Sequence, residues 1–401
     1  MNVLFLTTGR FKSIRQHGLY PDLLRAFVKH GHAVYVVSPR QRREGLPTEL
    51  VEEDGTKHLL VKIGNLTKTN LIEKGISTLL IERQYKTAIK QYFSGASFDL
   101  VLYSTPPITL ASLVAFIKKR DGAKTYLLLK DIFPQNAVDI GLMQKSGIKG
   151  LLYKYFRKKE MQLYALSDRI GCMSPANVSY VRSHNPKVDP NTVEVCPNSI
   201  EVVDARLDQP MREAIRKKYG IPLDKTVFIY GGNLGKPQGI PFLIDCLTSQ
   251  LNREDVYFFI VGDGTEFYKL KQFFDTFAPK NMQLRNRLPK PDYDKLVGAA
   301  DVGMIFLDRR FTIPNFPSRL LAYLQAGLAV LACTDIHTDV GKVIVDGGFG
   351  WWCESKDVQE FEHLVNAACK SDLKRLGDVG YQYLQAHYSV EDCYQIITNG
   401  M

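Results

Sequence analysis

The chain has no C-x-x-C spacing and no long apolar run. Its seven cysteines, Cys172, Cys196, Cys246, Cys333, Cys353, Cys369 and Cys393, are odd in number and scattered. That pattern argues against a structural zinc site or disulfide framework and for a reduced, cytoplasmic protein. No stretch approaches the roughly 20 apolar residues of a membrane span. The opening MNVLFLTTGRFKSIRQ passes from a short apolar run into a basic loop without a signal-peptide cleavage pattern, so it reads as a buried first strand. No nucleic-acid motif or RNP-type aromatic pattern accompanies the basic residues, which argues against nucleic acid as the partner.

The 401 residues are 45% hydrophobic, too many for one ordinary core and enough for two domains. The net charge of +10 is uneven. Residues 1–200 hold 29 Lys+Arg against 16 Asp+Glu, and residues 201–401 hold 23 against 26, so the halves carry +13 and −3. The first half is therefore expected to meet something polyanionic, and an anionic inner membrane surface is favoured. Two segments support that choice. Lys68 to Lys90 sets Leu71, Ile72, Ile76, Leu79 and Leu80 among basic residues. Ile148 to Lys159 aligns Ile148, Leu151, Leu152, Tyr155 and Phe156 on one helical stripe flanked by Lys149, Lys154, Arg157, Lys158 and Lys159. A core-packed amphipathic helix with a solvated basic face is the alternative.

Strand and helix alternate in each half. NVLFLTT, AVYVVSP, Phe98–Tyr103, Lys124–Leu129, Arg169–Met173 and Val193–Cys196 read as strands of a parallel, doubly wound sheet. After a linker near residues 198–210 the pattern restarts with Val227–Tyr230, Val256–Val261, Met282–Asn286, Val302–Phe306 and Ala329–Ala332. The expected class is α/β, two facing Rossmann-like doubly wound domains with an interdomain cleft, since ligands of open α/β sheets sit beyond the carboxyl ends of the strands. The expected divisions are 1–203, 204–379, and a terminal helix, 380–401, crossing back to the first domain.

VFIYGGNLGKPQGIPFL is the most informative phrase. An apolar strand enters a loop where Gly231 and Gly232 permit close backbone approach, free N–H groups attract anions and Lys236 adds charge, although an ordinary strand-to-helix turn has the same outline. Gly262, Asp263 and Gly264 form a second tight turn where backbone groups could read a base, or simply a turn at a strand end. In the first half, Lys130 and Asp131 follow a buried strand. Asp131 either orients an acceptor hydroxyl or caps backbone. Arg10, Lys12 and Arg15, between Gly9 and Gly18, are acceptor or phosphate contacts, or a solvated basic loop.

An ordered series carries a family likeness across nearly the whole chain: LLRAFVKHGHAVYVVSP; FDLVLYSTPP; LLLKDIFPQNAVD; SDRIGCMS with VEVCPNSI; FIYGGNLGKPQG; FFIVGDGTEF; and AADVGMIFL leading to FPSRLLAYLQAGLAVLA. It resembles the GT-B-fold retaining glycosyltransferases of family 4, in particular the bacterial capsule and O-antigen branch. The resemblance implies a cytoplasmic enzyme without a metal or other cofactor, transferring a sugar from a nucleotide-diphosphate donor to a polyprenyl-diphosphate-linked or growing polysaccharide acceptor. It implies a UDP-linked donor, with an N-acetylated or 6-deoxy sugar suited to the apolar Phe316 and Pro317. Positive charge develops on the sugar and negative charge on the leaving diphosphate, so preorganised cations and amides can replace Mg²⁺. Gly232 and Lys236 fit that role, with Arg319 a second cation.

The chain departs from the family in three places. The common arginine and lysine of the glycine loop correspond to Asn233 and Gln238, with Lys236 two residues early. A lysine, Lys130, stands where relatives often have histidine. The E-x7-E pair, whose second carboxylate usually holds the ribose, falls at Pro314 and Ala322. Asn315, Phe316 and Ser318 would then supply sugar contacts, and CTDIHTD, Cys333 to Asp339, is a conjectural substitute for the ribose contact. A noncatalytic GT-B scaffold retaining nucleotide binding is the alternative function. A GT-B sugar-nucleotide epimerase is less well served, for want of acid/base carboxylates and histidines.

Overall fold

The computed structural model describes residues 1–9, 11–66 and 69–399, without the side chains of Leu71, Ile72, Lys74, Ile148 and Lys149. Arg10, Lys68 and the side chain of Lys149, named above, thus lie outside the described residues. Contacts divide the chain into two compact units, Met1–Glu201 with Ser389–Met401, and Val202–Tyr388.

The first unit is built on β1 (Asn2–Leu6), β2 (Ala33–Gln41), β3 (Glu49–Glu53), β4 (Thr56–Ile63), β5 (Leu100–Ser104), β6 (Lys124–Leu129), β7 (Arg169–Cys172) and β8 (Val193–Val195), ordered β3-β4-β2-β1-β5-β6-β7-β8. All neighbours are parallel except β3 and β4. The central strands are apolar because helices cover both faces, so LVLYS of β5 is buried at every position. The β3–β4 hairpin turns at Asp54 and Gly55, both at positive φ, as the Asp-Gly hairpin signal requires. Order reverses between β1 and β5, where Thr8 Oγ1 donates to the Pro106 carbonyl at 2.9 Å.

The second unit carries β9 (Thr226–Asn233), β10 (Val256–Asp263), β11 (Met282–Asn286), β12 (Val302–Phe306), β13 (Ala329–Thr334) and β14 (Gly350–Glu354), ordered β11-β10-β9-β12-β13-β14 and parallel throughout. Phe228, Phe258, Ile260, Leu243 and Phe306 centre its own core. Order reverses between β9 and β12.

The segment that rejoins the first unit begins at Ser389, not Gly380. The helix Leu373–His387 stays with the second unit because Gly377 and Gly380 bring it hard against Gly327 and Leu324; a Cβ on Gly377 would lie 1.9 Å from the Gly327 carbonyl oxygen. The helix Val390–Asn399 packs on Leu19–Lys29, with Tyr394 stacked 4.0 Å from His30 and 2.8 Å from His32 Nε2.

Candidate functional site

The order reversal between β9 and β12 places two loops side by side at the carboxyl ends of the strands, where open α/β sheets bind ligands. One is the glycine loop leaving β9. The other, leaving β12, is tied to it through the Asp308 amide, which donates to the Pro237 carbonyl at 3.0 Å. Gly239, at φ +59°, closes the first loop and leads into the helix Ile240–Ser249, whose Leu243 amide bonds back to the Gly239 carbonyl.

Beneath Gly232 lies Arg319. Gly232 adopts φ +123°, a conformation that glycine supplies, and a Cβ there would come 3.6 Å from Arg319 Nη2. The guanidinium carbon sits 4.5 Å from the centroid of the Tyr230 ring, whose hydroxyl donates to the Asn233 carbonyl at 3.1 Å. Tyr293 presses on the same turn, since a Cβ on Gly231 would meet its hydroxyl oxygen at 2.2 Å. Arg319 Nη1 is buried without a hydrogen-bond partner, and among the described residues no carboxylate pairs with the guanidinium. A buried cation without a counter-charge carries a desolvation cost that a bound anion would offset. The tyrosines around it come from separate elements.

The other sequence-derived donor residues fall around this centre in distinct ways. Lys236 is exposed at the start of a 3-10 turn, Lys236–Gln238. Asn233 and Gln238 hold the loop itself: Gln238 Oε1 accepts from Asn233 Nδ2 at 2.9 Å and from the Gly235 amide at 3.2 Å. Gly262 and Gly264 have a packing reason to be glycine. Their Cβ atoms would lie 2.0 Å from the Gly232 carbonyl oxygen and 2.4 Å from the Leu234 backbone, and the Asp263 carbonyl accepts from the Leu234 amide. Asn315 and Ser318 lie on the loop from β12, where the Asn315 carbonyl accepts from Thr338 Oγ1. Phe316 is 5% exposed and packs 6.0 Å from Tyr388 rather than standing open as a sugar platform.

In CTDIHTD, Asp335 sits inside the loop rather than on its surface. Asp335 is fully buried, and its Oδ1 accepts from the amides of His337 and Thr338 at 2.8 and 2.9 Å, so it shapes the loop. Burial pushes its carboxyl up to about 6. Its Oδ2 is buried without a hydrogen-bond partner among the described residues.

In the first unit, Lys130 and Asp131 leave β6 beside the β1–β5 reversal, and both amides donate to Thr105 Oγ1, at 3.0 and 3.2 Å. Lys130 Nζ points at the carbonyls of Cys196 and Pro197, 3.4 and 3.2 Å away. Asp131 lies deep among protein atoms, which pushes its carboxyl up to about 6, and its Oδ1 accepts from Asn136 Nδ2 at 2.6 Å. Arg15 is engaged with Asp54 and Glu53, at 2.5 and 3.3 Å, whereas Lys12 is exposed. Arg157 is also engaged, with Glu160 and Asn185 at 2.6 and 2.5 Å, which removes it from the expected membrane contacts. Lys154 and Lys158 are exposed. One grouping among the described residues, His17, Asp22 and Glu201, has metal-ligand spacing, but Arg25 Nη2 binds both carboxylates at 2.6 Å.

Residues 211–382 match the family model of glycosyl transferases group 1. The probable glycosyltransferase WbjE of Pseudomonas aeruginosa is 25% identical over 334 residues, 82% of this chain and 80% of that protein. WcaI of Escherichia coli K12, whose name assigns it provisionally to colanic acid biosynthesis as a glycosyl transferase, is 26% identical over 61% of this chain and 60% of its own length. Among solved structures, Anabaena HepE in complex with UDP-glucose superposes with a TM-score of 0.69 at 15% identity, covering 100% of this chain and 98% of HepE. The fold is therefore that of the GT-B glycosyltransferases, two Rossmann-like α/β domains with parallel sheets.

Proposed function

We propose, for a chain whose second unit matches the group 1 glycosyltransferases, a retaining, metal-independent transfer of a sugar from a nucleoside-diphosphate donor, UDP foremost. The acceptor is a lipid-linked or growing polysaccharide of bacterial capsule or O-antigen assembly. The observation that carries this reading is the Arg319 guanidinium beneath the glycine turn, stacked on the Tyr230 ring, with Nη1 lacking a hydrogen-bond partner and no carboxylate paired with it among the described residues. It supplies the fixed positive charge that a departing diphosphate needs, beside amides that carry no side chain to obstruct approach. Exposed Lys236 adds a mobile second charge. The kinship with WbjE and WcaI supports the reaction class, and HepE, of the same fold, holds UDP-glucose.

In the front-face mechanism the leaving phosphate oxygen takes the acceptor proton as the new glycosidic bond forms, so no carboxylate nucleophile is required. Lys130 and Asp131 are assigned to the acceptor side. A carboxyl titrating near 6 is mostly ionised at neutral pH and able to accept a hydrogen bond from an acceptor hydroxyl. Incubation with UDP-, GDP- and ADP-hexoses in EDTA is expected to give transfer from the UDP donor with retained anomeric configuration. An inverted product, or strict dependence on Mg²⁺, would overturn the chemistry. Nucleotide binding without turnover would instead favour a scaffold, the reading that Pro314 and Ala322 motivate.

The first unit is further proposed to rest on the anionic inner face of the cell membrane through the helix Gly147–Leu166. No helix among the described residues is long and apolar enough to cross a membrane, but Leu151, Leu152 and Tyr155 are 66%, 51% and 40% exposed, interleaved with exposed Lys154 and Lys158. Such a surface suits an interfacial helix. Leu151→Ser with Leu152→Ser is expected to abolish co-sedimentation with anionic vesicles and leave nucleotide affinity unchanged. Undiminished sedimentation would remove this helix from the membrane contact.

A further inference from the structure

A cavity of about 580 Å³ lies between the carboxyl end of β4 and the helix Leu71–Tyr92, within the roughly 300–1,000 Å³ of small-molecule sites. It stands beyond the ends of two parallel strands, since Gln41 of β2 pairs with Ile63 of β4 and Arg42 follows directly. Among the described residues its walls are mostly aliphatic carbon of Ile63, Ile76 and Leu80, beside the polar Asn70, Ser77 and Gln84, whose Oε1 is buried without a hydrogen-bond partner. Ile63 is 2% exposed, while Ile76 and Leu80 on the helix are 54% and 45% exposed. Gly64 lets the helix approach the strand end, because a Cβ there would lie 2.1 Å from Ser77 Oγ. Charge is confined to the margin. Arg42 pairs with Glu73 at 2.6 Å, and among the described lining residues the exposed Lys62 adds one positive charge.

A sugar ring would bring more hydroxyls than Asn70, Ser77 and Gln84 can pair, and an unpaired hydroxyl against aliphatic carbon is unfavourable. A branched hydrocarbon with an anionic head meets both features. We infer that this cavity takes the first isoprenoid units of a prenyl-diphosphate acceptor, its chain against Ile63, Ile76 and Leu80 and its diphosphate toward Lys62. The inference rests on the proposed transfer to a lipid-linked acceptor and gives that acceptor a place on the first unit.

Farnesyl diphosphate, titrated into the full chain at saturating UDP to occupy the donor site, is the test. Saturable binding is expected, at least about tenfold tighter than inorganic diphosphate. Ile76→Asn with Leu80→Asn, both exposed positions, is expected to weaken it by about tenfold or more while UDP affinity stays unchanged. Farnesyl diphosphate binding no tighter than inorganic diphosphate, or equally tight binding by the double variant, would overturn the inference. So would displacement of the probe by phosphatidylglycerol vesicles, which would make the face a bilayer contact. Should UDP itself fail to bind, the fault lies with the donor reading, and the same comparison of wild type with the double variant, run without UDP, still decides the cavity.

Discussion

Arg319→Met is expected to raise the thermal stability of the ligand-free protein and to lower its UDP affinity by about a hundredfold. Both effects have one cause. The guanidinium is held against the Tyr230 ring with Nη1 buried and unpartnered, and replacing buried charge with an apolar side chain of similar volume is often neutral or stabilising by about 1–4 kcal/mol. Removing a buried charge-assisted contact to a bound partner costs about 2–5 kcal/mol, and each 1.4 kcal/mol is tenfold in affinity. An arginine kept only for packing would give the opposite pattern, with lower stability and unchanged binding. Thermal unfolding and calorimetric titration of the one variant separate the two cases.

The second large effect is expected at Gly262. An alanine there places its Cβ 2.0 Å from the carbonyl oxygen of Gly232, and a neighbouring strand backbone cannot swing away as a side chain end can. Gly262→Ala must displace the turn that covers Arg319, so it is expected to destabilise by about 1–3 kcal/mol and to lose UDP binding together with stability. Gly75 provides the contrast, since a Cβ there meets nothing within 4 Å and the residue lies inside the helix Leu71–Tyr92. Gly75→Ala is expected to be stabilising by up to about 1 kcal/mol. A Gly262→Ala protein with wild-type affinity would mean that the glycine turn does not bind the donor.

Much of the fold was legible because its strands are short apolar runs buried on both faces, as in VFIYGG of β9 and VLYS of β5. The β3–β4 hairpin was not read from the sequence. ELVEE is charged and partly exposed, and its one clear signal was the Asp54-Gly55 turn. The boundary near Ser389 was also hidden, because two aromatic, amphipathic helices follow one another without a break in composition. Contacts such as those of Gly377 with Gly327, and of Tyr394 with His30, assign them to different units. At the site, the glycine turn could be found from local residues, whereas the setting of Arg319 could not. Tyr323 lies one turn on in the same helix, Arg319–Gln325, but Tyr230 and Tyr293 reach the guanidinium from elements distant in the chain. The basic helix showed the limit of charge patterns. Lys154 and Arg157 look alike in sequence, yet one is exposed and the other is engaged by Glu160 and Asn185.

Calorimetric titration of the wild-type chain with UDP in EDTA, repeated with Mg²⁺, tests the donor site most directly. Saturable one-to-one binding of equal strength in both buffers, and its loss in Arg319→Met, are the expected results. A folded wild-type protein that gives no binding heat with UDP, or binds it only when Mg²⁺ is added, would contradict a donor site built on the glycine turn and Arg319.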